Sequence, residues 1–382
     1  MKRYYLGMAA AYSLSDWLTH TFTIGRQQDY EALTDYLENR YSGDAILCKN
    51  GRSALCLALK AYFKPGEAVI VNGFTCYAVY EAVKAAGLIP VWADISKEDL
   101  NFDLERLEDI WVGSAHKITG IIVQNSLGNP VDIKKIEALA KKHDLTIIED
   151  LAHSVGVKYP DGREVGTVGA ACAFSFGKEK AIDTVSGGAV VLRAPCKYKV
   201  KEPTEAPRPS DHLRARFYPM LGAFCRRMMV LRAGGALMRL FVKIHWVEKS
   251  ADNKLDLKQR MSKFEARLAL VEFKKLSDSG EPALRDFYLV RNRDEVLNKL
   301  RTAGYFFDGF WYEKPVSPKR YYRRVHFPEK ECPNAVFVSE HIINFPIYYF
   351  QNELSKARKI VEPYIINDVV SNDATKKKEG TK

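Results

Sequence analysis

Between Asp44 and Leu192 the chain alternates short apolar runs with stretches of helical period, and that alternation limits the fold more than any other feature. The apolar runs are Ala68–Val71, Pro90–Ala93, Gly120–Gln124, Leu145–Glu149, Ala171–Phe176 and Ala189–Leu192. Ser53–Tyr62 leads in as a helix, and Ala78–Ala86, Leu104–Ile110 and Ile133–His143 supply helical periods between the runs. Strands alternating with helices of this length predict a mostly parallel sheet covered on both faces. Ligands on such sheets collect at the carboxyl ends of the strands, so the polar residues that follow each strand are the ones to read for chemistry.

Beyond Leu192 the pattern breaks. Glu202–Pro209 is rich in proline and reads as a loop. Leu213–Val247 is basic, apolar and of helical period, interrupted at Gly234–Gly235. A helix is expected over Met261–Leu276, another over Leu289–Ala303, and short strands near Phe306–Trp311 and His341–Phe345. A last helix is expected near Glu353–Tyr364, before a polar tail. The expected division is an N-terminal helical segment (1–43) and a large domain (44–257) that contains a basic helical insert at about 194–257. A connecting helix with a smaller α+β domain (258–366) and a disordered tail (367–382) complete it.

The formal net charge of +11 suits anionic partners such as phosphates and carboxylates, without choosing among them. No nucleic-acid motif accompanies the charge. Seven cysteines, an odd number with no C-x-x-C spacing, read as reduced thiols in a cytoplasmic protein. The apolar start of the chain is broken by Gly7, Ser13 and Asp16, against a secretory leader, and no run reaches the roughly 20 apolar residues of a membrane span.

Four constellations follow strands or open helices. In Phe174-Ser175-Phe176-Gly177-Lys178-Glu179-Lys180, a strand ends in a hydroxyl and a lysine stands five residues later; Ser186-Gly187-Gly188 then leads into the next strand. A lysine held at a sheet's carboxyl edge can form a Schiff base with an aldehyde cofactor, the serine can bond a phosphate, and glycines let backbone pass close. In Ile147-Ile148-Glu149-Asp150-Leu151-Ala152-His153 a strand runs into an acid. Asp150 can hold a protonated pyridine nitrogen, Ala152 is small enough for a flat ring to rest on it, and His153 can donate to a ring oxygen. Asn50-Gly51-Arg52-Ser53 opens a helix whose free N–H groups can bind phosphate. Asn72-Gly73-Phe74-Thr75-Cys76-Tyr77 offers an aromatic for the ring's other face. Taken singly, each has a plainer reading: a solvated lysine, a turn-capping aspartate, Ser53 as an N-cap, and aromatic packing.

In this order the segments "NGRSAL", "NGFTCYAV", "LGNPVDI", "IIEDLAHSVG", "FSFGKEKAIDTVSGGAVV", "QRMSKFEARLALVEFKKL", "CPNA" and "NFPIYY" resemble the DegT/DnrJ/StrS family of sugar aminotransferases. The resemblance runs from Asp44 to Ile365 apart from the insert. It implies an α/β protein of PLP fold-type I (PLP is pyridoxal 5′-phosphate). Such a protein has a mostly parallel seven-stranded sheet, flanking helices and a smaller C-terminal α+β domain. It implies Lys180 as the lysine that carries PLP and Asp150 as partner of the ring nitrogen. Ser175, with Gly51 and Arg52 through backbone groups, would hold the phosphate. His153 would lie near the ring oxygen, with Ala152 beneath the ring. Lys180 fits the motif spacing better than Lys178, and a lysine rather than histidine there favours transamination over dehydration.

Three positions depart from the family. Cys76 stands where the ring-stacking aromatic is expected, leaving Phe74 or Tyr77 to substitute. Lys258 stands where an asparagine reaches the partner subunit's phosphate, and it can still bind phosphate there as a point charge; Asn125 replaces a histidine. The resemblance implies a homodimer, a nucleotide-linked keto sugar as acceptor and glutamate as donor, in amino-sugar or surface-polysaccharide biosynthesis. Two rivals remain: another fold-type I lyase or transferase, and a non-catalytic regulatory or membrane-associated protein. The stretch 213–247 is either a helical flap packed on the protein or its partner, or a basic amphipathic surface for peripheral contact with an anionic membrane.

Overall fold

The computed structural model describes residues 4–5, 14–113, 116–193, 195–228, 233–247, 254–279, 284–306, 311–346 and 351–366. Seven strands form one sheet: β1 (Asp44–Cys48), β2 (Ala68–Asn72), β3 (Ile89–Ala93), β4 (Ile118–Val123), β5 (Thr146–Asp150), β6 (Ala171–Ser175) and β7 (Gly188–Leu192). Their order is β1-β7-β6-β5-β4-β2-β3, and only β7 runs against its neighbours. The sheet is thus mostly parallel and seven-stranded. The six apolar runs read from the sequence are strands to within two residues at each end; β1, an edge strand, is an addition.

Alternate residues of each strand feed opposite layers, because successive side chains point to opposite faces. Ala68 and Ile70 of β2, and Cys172 and Phe174 of β6, enter one apolar layer. Helices α2 (Gln27–Tyr41), α5 (Ile133–His143) and α8 (Lys263–Ser279) cover it with Leu33 and Leu37, Ile133 and Ile136, and Ala269 and Phe273. Val69 and Val71, with Ala171 and Ala173, enter the other layer, under α3 (Gly51–Tyr62) and α4 (Tyr77–Ala85). Burial on both faces explains why these strands read as continuous apolar runs.

Preceding α2 is α1 (Leu14–Phe22), which packs on α6 (Pro209–Met228); α7 (Gly234–Lys243) packs on α6 as well. The described parts of the basic insert are therefore helical as expected, but Gly234 and Gly235 open α7 rather than interrupt a helix. A smaller core gathers α9 (Arg293–Thr302), α11 (Gln351–Val361) and β9 (Ile342–Pro346) around Leu300, Phe345 and Ala357. Antiparallel to β9 runs β8 (Arg285–Leu289). The helix α10 (Pro333–His341) precedes β9 and joins Phe74, Leu127 and Tyr312 in a cluster between the sheet's carboxyl edge and this smaller unit.

Four expectations need correction. The helix expected from Leu289 begins at Arg293, because Arg285–Leu289 pairs with Ile342–Pro346 as a strand. The stretch Leu104–Ile110 holds only a short 3₁₀ turn at Leu107–Asp109, with a four-residue helix after it. The N-terminal segment is not wholly helical, since Tyr4–Tyr5 pairs in parallel with Tyr305–Phe306. Ser53 is not the N-cap of α3: Asn50 is, its Oδ1 accepting the Ser53 N–H at 3.0 Å. The tail 367–382 and the rest of the strand expected near Phe306–Trp311 lie outside the described residues. No described helix is long and apolar enough to cross a membrane.

Candidate active site

Two acids end β5, and the pleat sends them to opposite faces. Glu149 is fully buried and saturated: it accepts from the Tyr159 hydroxyl at 2.7 Å and from the N–H groups of Gly166, Val168 and Gly169 at 2.7, 2.9 and 2.6 Å. Its role is architectural. Asp150, also buried, accepts a single hydrogen bond, from the Ala152 N–H at 3.0 Å. Burial raises its pKa, opposed by that N–H and by the charge of Lys180. A carboxylate so placed is a ready partner for a buried cation.

The turn after β6 separates two lysines. Lys178 sends its Nζ over the Tyr218 ring of α6, 4.0 Å from the centroid. Lys180 turns the other way, its Nζ 4.5 Å from the centroid of Trp311, within electrostatic reach of Asp150 and Cys76. Asp183 holds the turn, accepting from the N–H groups of Glu179 at 2.9 Å and Val185 at 2.8 Å. Burial lowers the pKa of Lys180 and nearby Arg285 adds to the effect, outweighing Cys76, Asp150 and Glu179. A lysine depressed in this way presents more free amine near neutral pH, the form that attacks a carbonyl.

Three backbones converge beside this turn. A Cβ on Gly51 would lie 2.5 Å from Ser175 Cβ and 2.9 Å from Ser175 Oγ. A Cβ on Gly188 would lie 2.6 Å from the Asn50 carbonyl carbon and 2.7 Å from Gly51 N. The start of α3 thus abuts the ends of β6 and β7, and the Ser175 hydroxyl stands at a helix N-terminus, where N–H groups and the helix dipole favour phosphate. The Arg52 side chain leaves this place to pair with Glu81 of α4, so its contribution here is through backbone.

His153 is buried with both ring nitrogens engaged: Nδ1 accepts the Leu127 N–H at 3.2 Å, and Nε2 lies 3.1 Å from the Tyr312 hydroxyl. Burial, and then the charges of Lys180 and Arg285, push its pKa well down, so the ring is neutral. With Nδ1 accepting, the proton sits on Nε2 and is donated to Tyr312. The ring also stacks on Trp311, with centroids 5.0 Å apart. Ala152, beside it, is half-buried.

The structure therefore brings Lys180, Asp150, Ala152 and His153 together, next to the cradle of Gly51, Arg52 and Ser175. Other expected residues lie elsewhere. Phe74 is completely buried among Ile95, Leu100 and Leu127, edge-on to Tyr312 at 5.3 Å, which is a packing role. Tyr77 stacks on Tyr321 with centroids 4.4 Å apart. Cys76 lies within electrostatic reach of the Lys180 amine. Lys258 is exposed and lines a separate cavity of roughly 640 Å³ with Lys60, Lys64, Lys199 and Lys201. Asn125 is buried, its Oδ1 taking the Val131 N–H at 2.9 Å.

Sequence reading missed Trp311, Tyr312 and Arg285. Arg285 is buried, bonded to Asn344 Oδ1 at 2.7 Å and paired with Glu179 at 3.1 Å, and its guanidinium lies 4.5 Å from the Trp311 centroid. No local pattern announces these residues. They reach the site only through the fold of the smaller unit.

The sheet order and the lysine at its carboxyl edge define the architecture of the fold-type I PLP-dependent enzymes. The chain belongs to the DegT/DnrJ/EryC1/StrS aminotransferase family, whose profile matches residues 9–362. Among curated relatives, a pleiotropic regulatory protein of Geobacillus stearothermophilus is 34% identical over 148 residues, 38% of this chain and 39% of that protein. GDP-perosamine synthase of Escherichia coli O157:H7 is 35% identical over 157 residues, 41% of this chain and 42% of the enzyme. The matched segment thus spans about two fifths of these relatives. Among solved structures, the PLP form of Spr1654 from Streptococcus pneumoniae has a TM-score of 0.62 at 16% identity, covering 93% of this chain and 96% of that one.

Proposed function

We propose that the chain is a PLP-dependent aminotransferase that moves an amino group from glutamate to a keto group on a nucleotide-linked sugar. The observation that carries this reading is the half-buried Lys180 amine within electrostatic reach of a buried, singly bonded Asp150. The residues present fit the cofactor. Gly51, Arg52 and Ser175 would hold its phosphate, Asp150 its ring nitrogen and Lys180 its aldehyde. Bound PLP supplies an electron sink conjugated to the reacting carbon.

The chain's own groups do the rest. Lys180 Nζ, kept partly deprotonated by burial, takes the proton from the carbon that bears the donor's amine and later returns one to the acceptor carbon. Asp150 keeps the ring nitrogen protonated. The neutral His153 fixes Tyr312 and Trp311 over the site through its Nε2–H and its stacked face. The excess of cations suits both a dicarboxylate donor and a diphosphate-linked acceptor. The named activity of the E. coli relative supports a nucleotide-sugar acceptor. Cytoplasmic location belongs to the reading, in keeping with seven free cysteines, and so does a homodimer.

The test is amino transfer itself. Chain loaded with PLP is incubated with glutamate and a panel of GDP- and UDP-linked keto sugars, and products are weighed by mass spectrometry. An amino sugar from at least one acceptor is expected, absent with Lys180→Ala. If neither glutamate nor any other amino acid converts the cofactor to its amine form, and no amino sugar arises, the reading fails. A non-catalytic regulator would then be favoured, as the name of the Geobacillus relative allows.

A further inference from the structure

We infer that α1, α6 and α7 together form a docking surface for an anionic lipid bilayer, a role that goes beyond the proposed activity and does not depend on it. The first observation is where apolar surface lies. Among the described residues, every large hydrophobic side chain classed as exposed falls in two stretches. Leu18, Phe22 and Ile24 belong to α1 and the turn after it. Leu213, Phe224, Leu240, Ile244 and Trp246 belong to the insert. Scattered exposed leucines are ordinary on soluble proteins; collection of all of them on one helical unit marks an interaction surface.

This unit is built into the protein rather than loosely attached. The inner face of α6 carries Ala215, Tyr218 and Leu221 into a buried cluster with Phe264 and Leu268 of α8. Arg216 donates to the carbonyls of Thr21 at 3.1 Å and Thr23 at 2.9 Å, fixing the end of α1 against α6. What faces outward is therefore held in place. Leu240 of α7 and Ile244 at its end are exposed one helical turn apart, and Arg239 and Lys243, also one turn apart, are exposed in the adjoining row.

Charge decides the occupant. From Leu213 to Val247 there are seven arginines and lysines and no aspartate or glutamate. A second copy of the chain offering the same face would bring like charges together with few carboxylates to meet them, which opposes a two-fold contact. Helices α1 and α6 contribute only Asp16 and Asp211, and Asp211 is already paired with Arg214 and Lys49. A bilayer rich in acidic headgroups accepts both components, cations at the headgroups and leucine, isoleucine and tryptophan at the acyl boundary. Each cation that reaches such a surface strengthens binding roughly fivefold.

Flotation of the full chain with vesicles tests this. Vesicles of phosphatidylcholine mixed with phosphatidylglycerol are compared with pure phosphatidylcholine, at about 0.1 M and about 0.5 M salt. The chain is expected to float with the acidic vesicles only, and to be released at the higher salt. Arg239→Glu with Lys243→Glu, and separately Leu240→Ser with Trp246→Ser, should each weaken binding at least tenfold while leaving the thermal transition in place. Failure to float with acidic vesicles, equal flotation with neutral ones, or undiminished binding by both folded double variants overturns the inference. So does a change of sedimenting mass in these variants without vesicle binding by the parent, which would assign the face to self-association. Should a variant not fold, quenching of parent-chain tryptophan fluorescence by brominated acidic lipids, but not by brominated neutral ones, gives the same decision.

Discussion

Two neighbouring choices, Lys180 over Lys178 and Asp150 over Glu149, turn on what each side chain already touches. Glu149 holds four donors and Lys178 lies on Tyr218, whereas Asp150 accepts one hydrogen bond and Lys180 faces it. Environment rather than residue type sets the roles. A raised carboxyl pKa in the folded state means stability is present at low pH and lost as pH rises through that pKa. Asp150→Asn removes this cost and keeps an acceptor for the Ala152 N–H. Without cofactor, the variant should melt about 1–3 °C higher at neutral pH by calorimetry. Its amino transfer should fall about 10²-fold or more, since asparagine cannot keep the ring nitrogen protonated. The lowered pKa of Lys180 has the opposite sign: its free-amine form gains population as pH rises through a value below that of ordinary lysine. The rate of PLP capture, followed by stopped flow, should therefore rise with pH and level off below about 10.4, the ordinary lysine value.

The elements that shape the phosphate cradle tolerate no added atoms. Gly188 starts β7 where a Cβ would meet Asn50, Gly51 and the Phe174 carbonyl, all within 2.7 Å. Gly188→Ala must push α3 away from β6, at about 2–3 kcal/mol. The expected outcome is a lower thermal midpoint together with PLP affinity reduced at least about tenfold, measured by spectral titration. Elements of this kind were legible in the sequence because their constraint is local. Buried parallel strands show as apolar runs, and Asp132 and the lysines of the last turn bracket α5. The strand Arg285–Leu289 was not legible. Its partner lies at Ile342–Pro346, and its polar start, Arg285-Asp286, is explained only by the site and by Arg358, which pairs with Asp286.

At the level of the whole molecule, the site lies where the carboxyl edge of the sheet meets the smaller unit. Lys180, Asp150, Ala152, His153 and Ser175 come from the sheet and were readable as motifs after strands. Trp311, Tyr312 and Arg285 arrive from more than a hundred residues downstream, and only tertiary packing brings them in. Cys76 at the place of an expected aromatic is a related case: Trp311, from the far end of the chain, supplies an aromatic face beside Lys180. Because PLP would contact α3, β5, β6 and the turn carrying Lys180 at once, it should stabilise the molecule as a unit. At a hundredfold excess over its Kd the gain is about 2.7 kcal/mol, visible as a raised thermal midpoint that Lys180→Ala diminishes.

The most direct test of the central claim is the visible spectrum of the purified chain titrated with PLP, recorded for the parent, Lys180→Ala and Lys178→Ala. A band of lysine-bound cofactor should appear in the parent and in Lys178→Ala, and be absent in Lys180→Ala. A band that survives loss of Lys180, or vanishes only with loss of Lys178, would contradict the assignment of the reactive amine.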